Sequence, residues 1–188
     1  MAKSQVIDRD RGWKRVFAAA YSVARSKSVV RVGVLDEGAG AETEPGGDLT
    51  VAEIAAVLEF GTEDGRIPER SFVRSTFDEQ RTTLEALAAR LLQAVVFHGL
   101  PEDVALGQLG ALLASAIKAK VTSGQGVPPP NAPSTMLAKA NTGRTSKFFR
   151  RPARNLGQAL AQAGALAAVK TLIDTGRMLG AITWSVAK

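Results

Sequence analysis

The stretch Leu172-Ile173-Asp174-Thr175-Gly176-Arg177-Met178-Leu179 admits two different folds. Read as chemistry, two apolar residues before Asp-Thr-Gly form a loop in which one of a pair of carboxylates shares a proton and activates a water. Read as geometry, the same residues form a tight turn. Asp174 accepts hydrogen bonds from backbone amides two residues on, and Gly176 supplies the positive φ that reverses the chain before an extended segment. The first reading requires a mostly β protein, the second only one strand after the turn.

The neighbourhood of the motif favours the turn. An aspartic protease needs substantial β-structure beyond its Asp-Thr-Gly loop to build a cleft and a flap, and only residues 177–188 follow here. Arg177 stands where such a loop packs tightly around a small residue, and there is no second Asp-Thr-Gly or Asp-Ser-Gly. A protease acting through Asp174 is therefore the remote alternative.

Composition narrows the remaining chemistry. At 188 residues and 45% hydrophobic content, the chain is long and apolar enough to bury a core as one domain over 1–188 with insertions. Zero cysteines exclude disulfides, thiol nucleophiles and thiolate zinc sites. His98, the single histidine, falls at the end of a helical pattern just before Gly99, where an imidazolium suits the negative helix pole. It reads as a cap, since one histidine has no second group with which to build a site. No catalytic residue, metal ligand or cofactor site is assigned.

The net charge of +6 is concentrated in one segment. Residues 139–154 carry Lys139, Arg144, Lys147, Arg150, Arg151 and Arg154, no acid, and the pair Phe148 and Phe149. Basic residues interleaved with aromatics suit single-stranded nucleic acid. The plainer reading, preferred here, is a mobile or partner-ordered arm. The first residues have no apolar signal core and no run approaches the roughly 18 apolar residues of a membrane span, so a cytosolic product is expected.

Residues 8–25 read as an amphipathic helix with Trp13, Phe17, Ala20 and Ala24 on one stripe and Asp8 and Asp10 at its start. Residues 28–35 alternate, placing Val30, Val32 and Val34 on one face of a strand. Residues 36–48 are glycine-rich and acidic, and are expected to form a flexible protruding loop. Thr50 and Glu53 form a capping box for a short helix with Ile54, Val57 and Leu58 on its apolar face and Gly61 as its left-handed cap. The longest helix spans 71–97, with Val73, Phe77, Leu84, Leu87, Leu91 and Val95 in register, and Gly99 and Pro101 stop it. Pro101 opens the next, whose predicted face is Leu106, Leu109, Leu113 and Ile117. The proline-rich stretch 124–133 runs extended, and with the basic residues forms an arm over 124–154. An alanine-rich helix over 154–169 extends that insertion to about 169, and a last strand places Ile182, Trp184 and Val186 on one face. The predicted class is α+β: a small antiparallel sheet packed against several helices, including a long central pair, with an extended loop and arm.

Three groups of residues, taken in order, resemble a known family. They are Glu59-Phe60-Gly61-Thr62 with Ile67-Pro68-Glu69-Arg70-Ser71-Phe72-Val73-Arg74, then Pro130-Asn131-Ala132-Pro133-Ser134-Thr135, then Leu172-Ile173-Asp174-Thr175-Gly176 running through Ile182-Thr183. Together they resemble the tail-completion or neck (head-tail joining) proteins of long-tailed phages. The resemblance implies a structural virion subunit forming a ring, six-fold, between the head connector and the tail tube or its terminator. Genomic DNA would pass through the lumen without sequence specificity, and no membrane would be involved. Assembly would take place in the host cytoplasm. It marks Glu59, Phe60, Gly61, Thr62, Pro68, Arg70, Phe72, Arg74, Asn131, Pro133, Asp174, Thr175 and Gly176 as fold or assembly residues. The alternative class is a basic nucleic-acid-binding protein of a phage or prophage.

In physical terms Phe60 is expected to plug the core while Gly61 turns the chain, and Pro68 to fix the approach to a helix whose first turn buries Phe72. Arg70 and Arg74, four apart, are cations at the unfavourable end of that helix. They pair either with Glu59 or Glu63 in the same subunit or with a neighbour's carboxylates.

Overall fold

The computed structural model describes residues 10–43, 47–123, 129 and 176–188. Helix α1 (Trp13–Arg25) leads into strand β1 (Val29–Val34), followed by helices α2 (Val51–Phe60), α3 (Phe72–His98) and α4 (Glu102–Ser123). A five-residue helix α5 (Arg177–Ala181) and strand β2 (Ile182–Ala187) complete the described elements. The α+β class holds, with a two-stranded antiparallel sheet and the long helices α3 and α4 packed together.

The sheet is a long-range pairing. Val29 lies opposite Ala187, Val32 opposite Trp184 and Val34 opposite Ile182. Alternation put Ile182, Trp184 and Val186 on one face, and that face meets α4: Ile182 is fully buried and Trp184 lies over Gly107 and Gly110. A Cβ on Gly110 would come within 2.9 Å of the Trp184 Cβ, the Trp184 Cγ and the Val30 Cγ2. The glycines thus let the sheet sit close on the helix. This corrects the predicted face of α4. Leu106, Leu109 and Leu113 are only half-buried, whereas Gly107, Gly110, Ala114, Ile117 and Val121 are buried. The leucines lie on an adjacent flank of the helix. By length and composition α4 could also cross a bilayer, and a third of its apolar window is buried against the rest of the fold.

The core joins Val51 and Ala55 of α2, Phe72 of α3, Ala114, Ile117 and Val121 of α4, and Met178, Ala181 and Ile182 from the last two elements. Phe72 is buried as predicted. Phe60 is not: it is 65% exposed, because the apolar face of α2 runs through Val51, Ala55 and Leu58 and leaves residue 60 on the outside. Ile54 and Val57, predicted for that face, are half-buried. The Thr50–Glu53 capping box is present in full, with each side chain bonded to the other residue's backbone N–H.

The stripe predicted on α1 faces outward. No residue of α1 is buried, and its start is at Trp13, where the Asp10 carboxylate accepts the Gly12 N–H at 2.9 Å; Asp8 lies outside the described residues. Because α3, α4 and the sheet already cover one another, α1 rests on the outside of α3, with Arg15 donating to the Phe97 carbonyl at 3.0 Å.

The expected protruding loop folds back over its first part. Gly38–Gly40 form a 3-10 turn against α5 with Gly40 buried. The Glu42 carbonyl accepts from Val51 N–H, and the Glu42 carboxylate pairs with Arg177 at 2.7 Å. Residues 44–46 lie outside the described residues, as do the predicted 154–169 helix and all of the 124–154 arm except Pro129.

Candidate functional site

The two earliest family-like motifs are tied together by one carboxylate. Glu59, on the last turn of α2, is buried, and its oxygens accept the backbone N–H groups of Val73 at 2.9 Å and Arg74 at 3.1 Å. These are orphan donors at the start of α3, and the N-cap residue Ser71 makes no side-chain cap bond to the backbone. The end of α2 therefore caps the start of α3 with a full negative charge, where the helix dipole favours one.

That charge also resolves the position of Arg74. Its Nε donates to Glu59 at 3.1 Å, its Nη2 reaches Glu69 at 2.5 Å, and its guanidinium stacks 4.9 Å from the centre of the Phe60 ring. The hydrogen bond to Glu59, with Glu69 adding to it, holds this guanidinium above its ordinary pKa. Of the pairings left open by sequence, Arg74 takes Glu59 within the subunit, and Glu69 is a partner the spacing did not reveal. Phe60 serves as a platform for Arg74 instead of a core plug.

Arg70 precedes α3 instead of lying on its first turn. It is buried, its N–H bonds the Leu58 carbonyl at 2.8 Å, and its Nε donates to the Pro129 carbonyl at 3.1 Å. Burial pushes its guanidinium below the usual value. Arg70 thereby fixes one point of the proline-rich segment beside the α2–α3 junction.

Between the two helices the chain makes a self-bonded turn. The Thr62 N–H donates to the Ile67 carbonyl at 2.9 Å, and the Ile67 N–H returns to the Thr62 hydroxyl oxygen at 3.0 Å. The Thr62 hydroxyl donates to Asp64 at 2.6 Å, and this bond, followed by the Arg66 N–H, holds the Asp64 carboxyl below the usual carboxylate range. Gly61 begins the turn with φ +74° and ψ −177°, so the predicted left-handed cap has positive φ but an extended ψ. A Cβ there would lie 2.8 Å from the Glu69 nitrogen and 2.9 Å from the Ile67 oxygen, which leaves glycine as the residue that fits. Pro68 lies half-buried where the turn returns toward α3.

Glu59, Phe60, Gly61, Thr62, Pro68, Arg70, Phe72 and Arg74 thus lie together in one hydrogen-bonded junction. Gly176 is not part of it. It has the expected positive φ of +82°, but it opens α5, so a short helix stands between the turn and the last strand instead of the turn launching that strand directly. Asn131, Pro133, Asp174, Thr175, Lys139, Arg144, Lys147, Arg150, Arg151 and Arg154 lie outside the described residues.

Beside the junction lies a feature the sequence did not disclose. An apolar groove of about 670 Å³ runs between β1 and α3 over the flank of α4, lined by Val30, Val32, Phe77, Leu84, Leu109 and Leu113, with Arg74, Asp78 and Glu85 also on its lining. A smaller cavity of about 230 Å³ next to it shares Val32, Val73 and Arg74 and is bounded by Phe60 and Ala56. The leucines predicted as the core face of α4 supply the floor of the groove. Among the described residues no group of three or more His, Asp or Glu side chains is placed to hold a metal ion. No protein-family model matches the chain, and neither a curated protein nor a solved structure shows significant similarity to it.

Proposed function

We propose that the chain is a structural virion protein that forms a ring at the head-tail junction of a long-tailed phage, as a tail-completion or neck component, the tail terminator that closes the tail's upper end being one form of that role. The ring would be built from copies of this chain, six-fold, between the head connector and the tail tube, with genomic DNA passing through its lumen. The role needs no catalysis. Its mechanism is geometric: identical subunits in head-to-tail contact close a ring when the rotation between them is right.

The observation that carries this reading is the junction itself. The motifs at 59–62 and 67–74 that resemble the neck family meet at the Glu59 carboxylate, which caps α3 and pairs with Arg74, and this supports reading them as one assembly element. An exposed Phe60 at the edge of a small cavity next to an apolar groove is the kind of surface that a neighbouring subunit covers.

Electron microscopy of particles from a nonsense mutant tests the role. Accumulated full heads beside unjoined tails are expected, and normal virions would sink the reading. The net charge of +6 supports one other reading, a nucleic-acid-binding protein. That reading predicts saturation of DNA by monomers or dimers, with affinity falling steeply as salt rises.

A further inference from the structure

Helix α1 presents Trp13, Phe17 and Tyr21 to solvent at 63%, 68% and 62% exposure. At a spacing of four they form one ridge, about 12 Å long at 1.5 Å per residue, with the Trp13 and Phe17 rings 5.8 Å apart. Three adjacent exposed aromatics are the composition of an interface core and not of an ordinary surface. The groove described above is its counterpart in shape: from Phe77 to Ala88 it follows α3 for about 16 Å.

The charges are complementary as well. Within Trp13–Arg25 the charged residues are Lys14, Arg15 and Arg25, with no acid. On the groove's own lining Asp78 and Glu85 stand against one guanidinium, that of Arg74, which Glu59 and Glu69 already engage. A helix whose charges are all basic therefore meets a groove lining with more carboxylates than guanidiniums.

Ridge and groove do not meet within one subunit: no residue of α1 lines the groove, and Arg15 anchors α1 at Phe97, nine residues beyond Ala88 and twenty beyond Phe77 on the same helix, about 14 to 30 Å away. We infer that the aromatic ridge of α1 in one copy of this chain seats in the groove between β1 and α3 of a second copy. The contact is helix-in-groove, with anchors at i, i+4 and i+8. Because it joins two different surfaces it is heterologous, and so repeats from copy to copy until a ring closes. The inference rests on the ring reading and names the surfaces that would build it.

The absence of cysteine makes a copy-specific test available. Full-length Phe17→Cys and Phe77→Cys chains, carrying different tags, are mixed under mild oxidation, and Phe17→Ser is compared with the wild type by sedimentation. Expected are a disulfide joining the two differently tagged chains, and at least a ten-fold weaker self-association of Phe17→Ser with an unchanged far-UV spectrum. If the wild type forms closed oligomers but the mixture gives no cross-link and Phe17→Ser associates normally, the interface is wrong while the ring stands. A Phe17→Cys chain that cross-links mainly to itself would overturn the inference in favour of a ridge-to-ridge dimer. A wild type that stays monomeric at every concentration, with no cross-link in the mixture, would remove the ring reading and the interface together.

Discussion

Replacing Glu59 tests the logic of the junction most directly. Glu59→Ala removes two charge-assisted hydrogen bonds to the Val73 and Arg74 N–H groups, and with them the cap of α3. Losing a cap costs about 1–2 kcal/mol. The bond to Arg74 adds less than a buried pair would, since that side chain is 50% exposed and water can replace the carboxylate. The cavity and desolvated donors left at a buried position bring the expected total to roughly 2–4 kcal/mol. For a chain of this size that corresponds to a fall in melting temperature of about 4–16 °C. Glu59→Gln keeps one acceptor but turns an amide donor toward another donor, so its loss should lie between the wild type and Glu59→Ala. Urea denaturation followed by circular dichroism measures both, and a double-mutant cycle with Arg74→Met isolates the side-chain part. A Glu59→Ala loss below about 1 kcal/mol, or a cycle in which Arg74 carries the whole effect, would refute the claim that Glu59 acts as the cap.

Three further outcomes follow from the geometry. Gly110→Ala should destabilise by about 1–3 kcal/mol despite alanine's better helix propensity, because its Cβ meets the Trp184 Cβ; Gly107→Ala, which meets only the outer ring atoms, should cost less, and urea melts rank the two. Lys120 is buried with its ammonium 2.6 Å from the more exposed Glu79, so Glu79→Ala should lose about 1–3 kcal/mol by stranding a charge, while Lys120→Met should stay within about 1 kcal/mol of the wild type, as thermal melts can show. The depressed pKa of Asp64 means that its contribution to the 62–67 turn is fully present above its ordinary value of 3.8 and is lost only as pH falls through its lower folded value. The Arg66 amide resonance should therefore shift below pH 3.8 in the wild type and show no such step in Asp64→Asn.

Much of the local structure is legible in the sequence because its causes are local. The Thr50–Glu53 box, the stop at Gly99 and the start at Pro101 each depend on residues a few positions apart. Periodicity failed where another element decided which side of a helix was covered. The Trp13–Phe17 stripe looks like a core face, yet α3 and α4 had already paired; the leucines of α4 look like its buried side, yet the sheet settled on Gly107 and Gly110. The Glu59 cap was hidden for a different reason. Capping rules search the residue at the helix start, and here the carboxylate comes from fourteen residues before Val73, brought back by the Gly61 turn. The junction residues could thus be named from their pattern, but not the roles of Phe60 and Arg70 within it.

The pairing of Val34 with Ile182 also sets an order of events during synthesis. Those residues are 148 positions apart, so at about 5–20 residues per second β1 waits roughly 7–30 s for its partner strand, and α4, which ends at Ser123, roughly 3–12 s for Ile182. Throughout that time Gly107 and Gly110 present a shallow strip of backbone that Trp184 later covers. The sheet therefore closes after translation of the intervening chain, and a nascent subunit with an open α4 is the form in which a chaperone would meet this protein.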